Sequence, residues 1–156
     1  MKRLLIILML LPVAAIGQQI EVETDAFTGK AEYKVNGYMG ERGNYDRSFT
    51  IIPSIQKNNH SFIVAFEGIN ACNERNEMIF VFENNDRVVL HSFNKFNCKN
   101  VAYFNINKKQ SNLFATYRLT MIRFKNGRSG QTIDVAEVEN ADYFINLYKN
   151  IFELGL

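Results

Sequence analysis

Cys72 and Cys98 are the only thiols in the chain, and they bound the stretch CNERNEMIFVFENNDRVVLHSFNKFNC, in which two apolar runs flank a polar centre. Such a pair can be a redox couple, two metal ligands or a structural staple. Redox catalysis favours a close pair such as Cys-x-x-Cys, where the thiolate pKa can be tuned, and these two are far apart. Zinc would need His60 and His91 to complete a tetrahedral set, since the chain has no other imidazole. The staple fits best. Read as a hairpin with Asn84, Asn85 and Asp86 as its loop, the stretch sets Phe82 opposite Val88, Phe80 opposite Leu90, Met78 opposite Ser92 and, further out, Cys72 opposite Cys98. His91, odd-numbered, then faces away from the cysteines. The expectation is a Cys72–Cys98 disulfide, with no metal ligand and no cofactor.

Other chemistry is harder to assemble. The chain lacks a Gly-x-Ser-x-Gly elbow, a His-Glu-x-x-His pair, a phosphate-binding glycine loop and a calcium loop. His91 beside Ser92 does not make a catalytic pair, because neighbours on a strand point to opposite faces. Glu21 and Glu23 share one strand face, but acid–base work on glycosides needs one carboxyl with a raised pKa in a cleft. No catalytic residue is assigned. The local basic feature is Arg118, Arg123, Lys125 and Arg128 around the dipeptide Asn126-Gly127. It reads first as charge that discourages edge pairing, and second as a contact for an anion or a protein partner.

The elements that would position these residues are mostly strands. Residues 18–25 and 30–36 alternate apolar with polar or acidic residues, as antiparallel strands with one wet face do. NGYMGERGNYD, with three glycines, reads as a loop. Pro53 inside an apolar run points to an edge strand or a break, whereas SFIVAFE reads as a central strand covered on both faces. Asn126-Gly127 suits a type I′ hairpin turn, and LFATY suits one helical turn. From residue 140 the period lengthens: Ala141, Phe144, Ile145, Tyr148, Ile151 and Phe152 fall on one stripe of a helix over about 140–154, with Asn140 as its N-cap and Gly155 closing it. The fold class expected is mainly β: a single antiparallel sheet, a sandwich or a barrel-like domain, with a C-terminal amphipathic helix packed on it.

The first seventeen residues, MKRLLIILMLLPVAAIG, have the basic start, apolar run and small-residue end of a secretory signal peptide. The apolar run is too short to span a bilayer as a helix. Residues 18–156 then form one domain, exported to a periplasm or outside the cell, with no stable membrane anchor after the leader is removed. Of 18 basic residues, loss of Lys2 and Arg3 leaves 16 against 16 acidic ones. That balance argues against nucleic acid as a partner. The functional expectation is a small non-enzymatic binding or interaction module for a protein or small-molecule partner. The alternatives are a carrier of a small apolar ligand, since about eight strands and a helix is the element count of a lipocalin-like barrel, and a small secreted hydrolase.

Overall fold

Among the described residues, alternation of apolar and polar side chains builds ten strands and leaves two helices. The computed structural model describes residues 19–24, 31–56 and 59–153; the leader and Gly155 lie outside them. In chain order the first elements are β1 (Gln19–Thr24), β2 (Ala31–Asn36), β3 (Met39–Arg42), β4 (Ser48–Gln56), β5 (Asn59–Glu67), β6 (Glu77–Phe82) and β7 (Arg87–His91). They are followed by β8 (Val101–Ile106), α1 (Lys108–Thr116), β9 (Leu119–Lys125), β10 (Thr132–Val135) and α2 (Tyr143–Glu153).

The strands form two antiparallel sheets. One runs β1-β2-β4-β5-β8, with β3 also paired to β4, and the other runs β10-β9-β6-β7. Their inner faces meet through aromatic rings, with Phe62 of β5 at 6.0 Å from Phe80 of β6, and Phe66 of β5 at 4.6 Å from Phe124 of β9. The sheets also touch at two edges. Ser92, just past β7, bridges to Phe104 of β8. On the other side the loop after β3 caps β10, with Asn44 N–H donating to Asp134 O and Arg47 Nη1 to Thr132 O. Gly43 allows that approach, because a Cβ there would lie 2.5 Å from the Ile133 side chain.

Several local expectations are corrected by what neighbours each segment. NGYMGERGNYD is not all loop, since Met39–Arg42 forms β3 and Met39 is fully buried. Pro53 sits inside β4, which is not an edge strand. Pairing along that side of β4 stops at Ile51, opposite Met39, and resumes at Ile55, opposite Tyr33, so Pro53 faces the interruption between β2 and β3. β5 is central but buries one face, through Phe62, Val64 and Phe66, while Ile63 and Ala65 are half-buried. LFAT belongs to a nine-residue helix, α1, with Tyr117 as its C-cap, opened by a capping box in which Asn107 Oδ1 accepts from Gln110 N–H and Gln110 Oε1 from Asn107 N–H.

The helices close the space between the sheets. Phe114 of α1 lies 4.9 Å from Phe80, 5.3 Å from Phe82 and 5.4 Å from Phe62, and 4.9 Å from Phe144 of α2. α2 buries Phe144, Leu147, Tyr148 and Ile151, a stripe turned slightly from the expected one, with Phe152 left half exposed. It starts at Tyr143, not 140. Asn140 caps no helix here; its backbone N–H, with that of Glu139, donates to the buried carboxylate of Glu41 on β3, which holds the entry to α2.

Candidate interaction surface

The staple and its surroundings form the most constructed part of the surface. Cys72 and Cys98 are joined as a disulfide, with Cα atoms 4.1 Å apart. The hairpin between them has a three-residue loop, but it is Glu83, Asn84 and Asn85, because the left-handed position that such a loop requires falls on Asn85 (φ 66°). Phe80 therefore lies opposite Val88 and Met78 opposite Leu90, two residues from the expected register. A slip of two keeps every side chain on its expected face. The difference is absorbed between β6 and the disulfide, where Arg75 takes φ 50°, so that Asn73 lies opposite Asn97 and the cysteines meet as expected.

An asparagine network holds this end together. Asn73 and Asn76 are fully buried. Asn73 Nδ2 donates to Asn97 Oδ1 at 2.8 Å, and Asn73 Oδ1 accepts from Asn76 Nδ2 at 2.9 Å and from Asn94 Nδ2 at 3.1 Å. The β9–β10 loop docks on the same network. Gly127 N–H donates to Asn76 Oδ1, and the buried Asn126 accepts from the N–H groups of Arg128 and Ser129 through Oδ1. The turn is thus not the two-residue type I′ expected at Asn126-Gly127. Gly127 serves close approach instead, because a Cβ would lie 2.1 Å from Arg75 O. A buried polar network with each member satisfied is rigid.

What this frame presents to solvent is aromatic and basic. Phe93, Phe96 and Tyr103 are 59%, 50% and 39% exposed. The Phe93 and Tyr103 rings stand 6.1 Å apart, and the Arg128 guanidinium lies 4.9 Å over the Phe96 ring. Arg75, Lys95 and Lys99 are exposed on the same two loops. The four basic residues read from the sequence do not gather in one place. Arg128 joins this surface, Lys125 ends β9, Arg123 pairs with Asp134 at 2.6 Å, and Arg118 pairs with Asp142 at 2.7 Å. Strand geometry puts Arg118 about 23 Å from Lys125. The Asp134 carboxylate raises the Arg123 pKa above its ordinary value, mainly through that hydrogen bond.

No family model, curated protein or solved structure matches the chain.

Catalytic or metal chemistry finds little to work with among the described residues. The two histidines sit on different sheets: His60 is half-buried with its ring 5.6 Å from Tyr148, and His91 is exposed with Nδ1 3.8 Å from Glu77. No group of His, Cys, Asp and Glu could hold a metal ion among the described residues, and both cysteines are oxidised. No helix among them is long and apolar enough to cross a membrane. The aromatic surface and its asparagine frame were missed in the sequence, although a signal was there. Asparagines recur every third residue around each cysteine, at Asn70, Asn73, Asn76 and at Asn94, Asn97, Asn100.

Proposed function

We propose that the chain is an exported, non-enzymatic interaction module that binds a partner protein through the disulfide-end surface of Phe93, Phe96, Tyr103 and Arg128. The observation that carries this reading is exposed aromatic area on a segment pinned by a disulfide and a saturated asparagine network. Aromatic residues and arginine dominate the centres of protein interfaces, and a pre-ordered surface loses little conformational entropy on binding. Arg75, Lys95, Lys99 and Arg128 favour a partner with acidic residues around an apolar centre. The leader and the disulfide support export. The carrier reading is less favoured, because Phe62, Phe80, Phe114 and Phe144 meet ring to ring where a carrier would hold its ligand.

Quantitative cross-linking in the exporting host tests the proposal. A partner captured by the native protein should be lost at least tenfold by the double change Phe93→Ser, Phe96→Ser, with the melting temperature unchanged within a few degrees. Equal capture by both proteins would remove the surface from consideration. Turnover of a generic ester, glycoside or peptide substrate by the native protein would overturn the non-enzymatic reading.

A further inference from the structure

β7 ends its sheet, and the direction of its backbone groups follows from the ladder. In an antiparallel pair, residues alternate between those that exchange both backbone hydrogen bonds with the neighbour and those whose N–H and C=O point away from it. Phe82 N–H donates to Asp86 O at one end of the β6–β7 ladder, and Ser92 N–H donates to Asn76 O at the other. Val88 and Leu90 share their parity, so β6 takes the even positions. Arg87, Val89 and His91 therefore aim N–H and C=O away from β6. Phe93, next in that series, shows the direction, since its N–H donates outward to Tyr103 O at 3.0 Å. The same bridge takes His91 C=O, which accepts from Asn105 N–H, so β8 covers the end of β7, and among the described residues no strand pairs with the edge of residues 87–89. The opposite edge is treated differently: Asn44 N–H and Oδ1 take Asp134 O and N–H, and Arg47 takes Thr132 O.

We infer that the free edge of β7 accepts an extended segment of a partner polypeptide in which acidic and apolar residues alternate. Two donor–acceptor pairs spaced by two residues, at Arg87 and Val89, are a short template for strand addition. The inward row of β7, Val88 and Leu90, is buried among apolar side chains, so the added strand must turn apolar residues that way. The outward row is Arg87, Val89 and His91. Arg87 is exposed, makes no ion pair among the described residues, and borders a groove of about 330 Å³ with Ile79, Val81 and Met121. An acidic residue of the added strand complements Arg87 across this row. A second copy pairing β7 to β7 supplies no such complement, since that strand holds no acidic residue. The inference rests on the reading of a protein partner, but it uses a separate surface that reaches the loop surface at Phe93.

The probe is a blocked heptapeptide alternating glutamate and valine, compared with its lysine counterpart by hydrogen exchange and titration. In the free protein the amides of Arg87 and Val89 should exchange fast, with those of Val88 and Leu90 protected. Saturation with the glutamate peptide should slow the first two at least tenfold. Val89→Pro removes one outward N–H and no bond to β6, and should weaken binding tenfold or more. Arg87→Glu should reverse the preference towards the lysine peptide. Unchanged exchange at these two amides, equal affinity for both peptides, or a concentration-dependent dimer that protects the edge would each overturn the inference. Should Val89→Pro fail to fold, the exchange pattern of the native protein decides. Partner capture by the native protein that depends on Phe93 and Phe96, with no peptide binding at β7, overturns the strand site alone.

Discussion

Asn73 shows how a single side chain carries the proposed surface. Its amide group satisfies three other asparagines in a site without exposure. Asn73→Ala leaves the buried Asn76 amide without its acceptor and should cost about 1–3 kcal/mol, read as a lower urea midpoint with the disulfide intact. His60 sets a different condition. Burial lowers its pKa below the ordinary 6.5, so the folded protein holds the imidazole neutral while the unfolded chain charges it at higher pH. The stability it contributes is present above pH 6.5 and is lost as pH falls through the lower folded value. Urea midpoints at pH 7.5 and about pH 5 should differ in the native protein, and His60→Gln should narrow the difference. A histidine's type was legible in the sequence, but its solvation was not, because the ring that shields it, Tyr148, lies on α2.

The hairpin β6–β7 and its disulfide carry the argument at the scale of elements. A disulfide across 26 positions of sequence contributes about 3.5 kcal/mol in the chain-entropy model. Reduction should therefore lower the urea midpoint while leaving far-ultraviolet dichroism intact, since the strands pair without it. Proximity of the two cysteines was readable from the polar centre and the apolar runs. The strand register was not, because a three-residue loop fits either side of Asn84 and only the residue able to take positive φ, Asn85, decides between them. β3 escaped notice for a similar reason. Its four residues lie among glycines and gain strand character from pairing with β4, a partner remote from any local pattern.

At the scale of the whole molecule, Phe114 joins the parts. Its ring touches rings from β5, β6 and α2. Phe114→Ala should cost about 3–5 kcal/mol and lower the cooperativity of thermal unfolding, because both sheets and both helices lose a shared contact. Calorimetry that shows a small loss of stability, with α1 melting by itself, would mean that the helices are appended and not part of one core.

By itself the sequence determined the β-rich class, the C-terminal helix and the pairing of Cys72 with Cys98. Each depends on short-range periodicity or on residue type, and these survive without knowledge of distant partners. Only the tertiary structure decided that there are two sheets, that Pro53 lies opposite a gap, that Arg118 and Arg123 are spent in ion pairs, and that Phe93, Phe96 and Arg128 share one surface. Alternation records which way a side chain points and not which strand lies beside it. The neighbours that create a site are set by long-range closure of the chain, where free energy depends on the packing of the whole core.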